Sequence, residues 1–318
     1  MRISFSACKP PQAAAPPLVN FPAGLINIMD KLILPRQRRK EKVVVVMGAT
    51  GTGKSRLSID LATRFGAEII NSDKMQVYRG LDVVTNKVTA AECRGVPHHL
   101  LGIADPDDDF TAADFVERAS LAAEEITHRG RLPIIAGGSN SFVKALVSDD
   151  HYFRSRYECC FLWVDVSLPV LHYFVSKRVD RMVVAGLSGY RRAIGVPEMD
   201  EFFRNETLVD DVTRADLLER AVDQIKACTR NLVCCQLRNI ARLEEHLERR
   251  IHRLNATEAL LRHGGDADEA WERVVAGPGT AIVGRFLCDE PPTPPMSSSA
   301  TVILGPTNST AAVAAATR

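Results

Sequence analysis

Three things are missing from this sequence of 318 residues. It has no apolar, charge-free run of about eighteen residues, which excludes a membrane-spanning helix; its most apolar stretches are only strand-length. Its eight cysteines include no CxxC pair. Neighbours such as Cys159 and Cys160 suit neither zinc ligation nor a disulfide framework, so reduced, mostly buried thiols in a reducing compartment are expected. It also lacks net charge: 40 basic residues against 39 acidic ones leave +1, with no global pull toward nucleic acid or membrane. What remains is 46% hydrophobic and 25% charged, enough for one large or two small soluble domains with a buried core.

The near-zero charge hides a partition. Residues 1–42 carry eight basic and two acidic side chains, 43–288 carry 31 and 35, and 289–318 carry one and two. The folding part is therefore mildly acidic. Residues 1–42, poor in acids, resemble an organelle transit peptide, the alternative being a solvated arm. Residues 289–318, rich in Pro, Ser, Thr and Ala, cannot bury enough apolar surface to offset their ordering entropy and are expected to form a disordered tail.

Between these ends the pattern alternates strand and helix. Val43–Met47 is a continuous apolar run of central-strand type, followed by a glycine-rich turn and a helix over Lys54–Phe65. Further strands are expected at Glu68–Asn71, Leu132–Ala136 and Phe161–Val166. Thr111 and Asp114 open a helix with a capping-box-like pair. From about residue 170 the rhythm turns helical: Leu171–Met182, Arg214–Lys226, Cys235–Leu254 and Thr257–Leu261, with a strand expected only at Ala281–Phe286. The expected fold class is α/β, a P-loop NTPase-like parallel sheet flanked by helices with a helical C-terminal part.

The sharpest motif is Gly48-Ala49-Thr50-Gly51-Thr52-Gly53-Lys54-Ser55, a GxxxxGKS loop between a strand and a helix. Its amides converge on an anion, the helix start adds partial positive charge, Lys54 supplies a point charge and the Ser55 hydroxyl suits Mg2+. Such a loop implies a diphosphate or polyphosphate site without saying whose phosphate it is. Asp73, at the carboxyl end of the second strand, should face the same crevice. From position alone it can ligate a metal, cap a helix or take a proton. Gly137-Gly138-Ser139 follows the next strand and offers close approach plus a hydroxyl; the absence of a terminal Asp there counts against an ATPase. His98-His99 and the cluster Asp105, Asp107, Asp108 and Asp109 read as structural, the acids as a capping turn. The charged face of Leu237–Arg253 mixes acids with bases and reads as solvated.

Taken together, GATGTGKSRLSIDLATRF, EIINSDKMQVYRGLDVVTNKV, VPHHLLG, FTAADF, AGGSNSF, RYECCFLWVDVSLPVLHYFVSKRVDRM, RRAIGVPEMDEF and DADEAWERVVAGP resemble the plant adenylate isopentenyltransferases over about Val43–Leu287. The resemblance implies a P-loop that holds the diphosphate of dimethylallyl diphosphate with Mg2+ at Ser55. It implies N6 of AMP, ADP or ATP as nucleophile and Asp73 as catalytic base. By similarity, Ser139 and Arg156, in the Phe153–Tyr157 segment, assist phosphate or diphosphate binding. Two departures stand out: Gly186–Tyr190 makes a shorter connection than the family's, and Asn231 and Cys235 replace arginines of the family helix. Losing two cations near a diphosphate should weaken activity, with Arg230 as the expected substitute.

The reading is thus a prenyltransferase of cytokinin biosynthesis acting on a free adenine nucleotide, of open oligomeric state with a monomer favoured, in the plastid if the arm is a transit peptide and otherwise cytoplasmic. The alternatives are a tRNA dimethylallyltransferase, a P-loop small-molecule kinase, and a catalytically weak nucleotide-binding relative. The mildly acidic core disfavours nucleic acid as partner.

Overall fold

Val43, Val44, Val45 and Val46 are fully buried, because the strand they form lies inside a sheet covered on both faces. The computed structural model describes residues 39–80, 82–184, 196–205, 207–247 and 250–289. The elements below all belong to the unit that begins at Glu41. The expectations for residues 1–38, for 290–318 and for the Gly186–Tyr190 connection fall outside the described residues.

Strand β1 (Glu41–Met47) leads through the glycine loop into α1 (Lys54–Phe65), then β2 (Ala67–Asn71), α2 (Asp82–Thr85), β3 (His98–His99), α3 (Ala112–His128), β4 (Leu132–Ala136), α4 (Asn140–Lys144), α5 (His151–Arg156) and β5 (Tyr157–Asp165). The later part comprises α6 (Leu168–Val184), α7 (Val196–Asn205), α8 (Asp211–His246), β6 (Ile251–Asn255), α9 (Thr257–Leu261), α10 (Gly264–Trp271) and α11 (Gly277–Leu287). The described strands make one sheet of order β3-β2-β4-β1-β5-β6, every pair parallel. Alternation along β1 divides the core: Val44 and Val46 join α1, α6, α10 and α11 on one face, and Val43, Val45 and Met47 join α3 and α4 on the other. A smaller cluster, Val179, Met199, Ala221 and Ile225, ties α6, α7 and α8 together. No described helix is long and apolar enough to cross a membrane.

Two expectations are corrected. The helix expected over Cys235–Leu254 ends at His246, and Ile251–Asn255 is instead the edge strand β6, paired with β5 from Phe161–Ile251 to Asp165–Asn255. Its sequence IHRLN has no clean alternation, and what holds it is the neighbouring strand plus the bond from Arg253 to Asp165 Oδ2. Conversely, Ala281–Phe286 is helix, not strand: Pro278 sits in the first turn, and Val275, Ala276, Gly279 and Val283 bury one face at helical spacing. The capping box is present, Thr111 Oγ1 accepting from Asp114 N while Asp114 Oδ2 accepts from Thr111 N.

Candidate active site

The site lies at the carboxyl ends of β1, β4 and β2, three strands side by side, so the loops that follow them share one rim. The glycine loop comes first. Gly53 has φ 96°, and a Cβ on it would lie 2.6 Å from Trp271 Cη2, so only glycine lets the loop turn against α10. Helix α1 starts at Lys54 with no acidic residue in its first turn, leaving its positive end free for an anion. Thr52 Oγ1 donates to Ala49 O at 2.9 Å and Lys54 Nζ donates to the same carbonyl at 2.8 Å, folding the lysine over the loop. The Ser55 side chain is exposed.

After β2 the chain turns at Asp73. Asn71, buried at the strand end, accepts from Asp73 N through Oδ1 (3.0 Å) and donates through Nδ2 to Asp73 O and Leu100 O. Asp73 Oδ1 in turn accepts from Met75 N. The loop after β4 closes in: a Cβ on Gly137 would lie 2.3 Å from Ser72 C, and Ser139 Oγ accepts from Lys74 N at 2.8 Å. Asp73, Ser139 and the glycine loop are therefore neighbours. Electrostatics agree with the geometry. Burial pushes the Lys54 ammonium down to about 8, against an upward pull from the Asp73 carboxylate and a downward push from Arg178.

Two residues of the site escaped the sequence reading. Arg178 of α6 donates from Nη2 to Thr50 Oγ1 at 3.0 Å, and its Nε is buried without a hydrogen-bond partner among the described residues. Burial lowers its pKa, Asp73 pulling the other way. Gln236 of α8 accepts from Thr50 N at 2.8 Å and donates to Gly138 O at 3.1 Å. A basic residue and an amide on helices carry no local signal of this; only the motif-bearing strand ends did.

Arg156 is a correction. It ends α5 immediately before β5, whose first residue Tyr157 pairs with Glu41 at the start of β1. In a parallel sheet that is the opposite end from the glycine loop, roughly 20 Å away at about 3.3 Å per residue. There its guanidinium donates to Glu124 Oε1 and Tyr152 Oη, both at 2.9 Å. Arg230, the expected substitute cation, donates to Ser176 Oγ of α6. Asn231 and Cys235 are exposed on α8, the Cys235 thiol accepting from Arg238. The cation that does reach the loop is Arg178.

The donor set fits Mg2+ only in company. Among the described residues no three His, Cys, Asp or Glu side chains gather as a metal cage. An exposed serine hydroxyl at the end of an anion cradle suits instead a hard cation that keeps its waters and binds through phosphate oxygens.

A parallel sheet with a glycine-rich anion cradle after β1, two partly buried cations over it and one carboxylate across the rim defines a P-loop fold equipped for transfer from a phosphorylated donor. The family model described as IPP transferase matches residues 76–153. Adenylate isopentenyltransferase 3, chloroplastic, of Arabidopsis thaliana is 49% identical over 95% of each chain. Adenylate isopentenyltransferase 5, chloroplastic, of the same plant is 54% identical over 87% of each, and adenylate isopentenyltransferase 7 there is mitochondrial, at 50% over 90%. The chain belongs to the adenylate isopentenyltransferase family. Among solved structures, a eukaryotic dimethylallyltransferase acting on tRNA superposes with TM-score 0.65 at 23% identity, covering 79% of this chain and 81% of that one. The tRNA isopentenylpyrophosphate transferase of Bacillus halodurans does so at 0.61 and 26%, covering 79% and 100%.

Proposed function

We propose that this chain transfers the dimethylallyl group of dimethylallyl diphosphate to N6 of a free adenine nucleotide, AMP, ADP or ATP, the entry reaction of cytokinin synthesis. The observation that carries the reading is that Lys54 and Asp73 stand on one rim of the sheet, near enough for the Asp73 carboxylate to pull the Lys54 pKa upward. A C–N bond forms between N6 and the first prenyl carbon as the C–O bond to diphosphate breaks, the electron pair leaving with the diphosphate. Charge builds on the diphosphate oxygens, where the loop amides, Lys54 and Arg178 stand ready to stabilise it. The exocyclic amine, conjugated to its ring, is a weak nucleophile, and Asp73 takes its proton as the new bond forms. Mg2+, held through Ser55, would neutralise the diphosphate and improve it as a leaving group. Relatives named for adenylate at 49–54% identity support a free nucleotide over tRNA, whose structural neighbours stand at 23–26%. The chloroplastic and mitochondrial names among the relatives support an organelle, and we assign it to the plastid through residues 1–42.

The test is the purified chain with Mg2+, dimethylallyl diphosphate and AMP, ADP, ATP or tRNA, read by mass spectrometry. A prenyl adduct on the free nucleotide is expected, with Asp73→Asn losing about 10²- to 10⁴-fold in kcat while still binding pyrophosphate. Phosphoryl transfer without an adduct, or an adduct on tRNA alone, overturns the reading.

A further inference from the structure

We infer that Gln236 is a positioning residue that sets the distance between the diphosphate cradle and the loop after β4, against whose Gly138 the Asp73 carboxylate packs; this rests on the transferase reading above. The residue is 8% exposed, on the α8 face that also buries Val233 and Ile240. Its Oε1 accepts from Thr50 N at the tip of the glycine loop, and its Nε2 donates to Gly138 O in the loop after β4. Its own backbone carbonyl accepts from Asn140 Nδ2, two residues beyond Gly138, so α8 grips that loop twice. A primary amide is the side chain for this task, because it presents an acceptor and a donor in one rigid fork. A carboxylate would only accept and an ammonium only donate.

The two anchored groups serve opposite halves of the reaction. Thr50 belongs to the loop that must hold the departing diphosphate, and its amide is committed to Gln236 and thus lost to the anion. Gly138 lies against the base: a Cβ added there would come within 2.6 Å of Gln236 Nε2 and 3.3 Å of Asp73 Oδ2. The amide and the carboxylate therefore flank the same small residue. In a transfer between two bound molecules the rate depends steeply on the separation of the sites that hold them, and a misplacement of about 1 Å can cost about a hundredfold. A bridge between the two loops acts on that separation, so its loss should be felt in kcat more than in either KM.

The same geometry supplies the test. Gln236→Leu keeps the volume and removes both bonds; Gly138→Ala keeps the glutamine but pushes its amide aside. Steady-state kinetics of the full chain with dimethylallyl diphosphate and adenine nucleotide, together with pyrophosphate titration, should show each variant losing about ten- to hundredfold in kcat. Both KM values, pyrophosphate affinity and the pH profile should stay within about threefold or unshifted. Because both changes break one bridge, the double variant should be no worse than the poorer single one. Gln236→Glu, which turns a carboxylate oxygen on Gly138 O, should fall below Gln236→Leu. A loss residing wholly in the donor KM, kcat retained in Gly138→Ala, or multiplicative losses in the double variant would each overturn the role while leaving the transferase reading intact. A wild-type chain that forms no prenyl adduct would overturn both.

Discussion

The two ends of the sheet carry charge in opposite ways. At the amino end of β2, Glu68 is buried with its carboxylate matched from several sides: Arg129 Nη2 and His99 Nε2 both lie 2.7 Å from Oε2, and Arg131 approaches Oε1 at 3.7 Å. Burial pushes this carboxyl up, but the bonds from Arg129 and His99 outweigh it and hold it below the ordinary glutamate range. At the carboxyl ends of β1 and β2 the sign is reversed, whereas β5 ends on the closed pair of Asp165 and Arg253. Lys54 and Arg178 are both lowered by burial, and the bonds they make here go to a backbone carbonyl and a hydroxyl, not to a carboxylate. A charge cluster already satisfied internally is structural; cations desolvated ahead of their counter-ion mark the end that receives one.

Removing the most compromised cation should break this contrast hardest. Lys54→Met is expected to reduce turnover about 10²- to 10³-fold, as removal of one preorganised donor does. It should also change the pH dependence of pyrophosphate binding. With the free-state pKa lowered to about 8 and raised again by a bound anion, Lys54 loses its proton in the free protein as pH climbs past 8, so wild-type affinity weakens there. The ligand's own titration is common to both proteins, so the wild-type minus Lys54→Met difference isolates the lysine. A difference that stays flat from pH 7 to 10 would contradict the assignment. Arg178→Ala should come next, costing about ten- to a hundredfold in donor KM and kcat together, with Arg178→Lys intermediate because it keeps charge without the planar fork.

How much of this was legible follows from the range over which each feature is set. The valine run, the glycine loop and the capping box are local, so strand β1, helix α1 and the start of α3 could be read directly. The place of Asp73 on the rim beside the glycine loop could be read because the carboxyl end of a parallel strand is visible in the sequence as the end of its apolar run. Arg178 and Gln236 reach Thr50 from 128 and 186 residues away, and nothing in their own neighbourhoods separates them from an ordinary helix cation and amide. Strand β6 was hidden because an edge strand with three exposed polar residues takes its identity from its partner. The misplacement of Arg156 has a simpler lesson: a residue just before a parallel strand stands at the end away from the loops that follow the strands.

At the amino end the expected effect is on stability alone. Glu68→Gln leaves Arg129 and His99 without their anion and should cost about 1–3 kcal/mol, seen as a lower melting temperature, with kcat/KM within about twofold of wild type. Because the folded carboxyl lies below its unfolded range, its contribution is present above the unfolded value and is lost as pH falls through the folded one. The wild-type advantage over Glu68→Gln should therefore shrink in acid; an advantage that grows there would mean the network is not the source.

The smallest effect is expected at Arg156, and it sharpens the comparison most because Arg156 and Arg178 are the same residue type placed at opposite ends. Arg156 pairs with Glu124, both partly exposed, so the pair is screened and Arg156→Ala should cost under about 1 kcal/mol. It lies behind the full length of β1 from the cradle, so kinetics with dimethylallyl diphosphate should be unchanged within about twofold. If Arg156→Ala instead raised the donor KM as Arg178→Ala is expected to, the diphosphate would have to be bound at the amino end of the sheet. The division into a closed charge cluster and a receptive one would then be inverted.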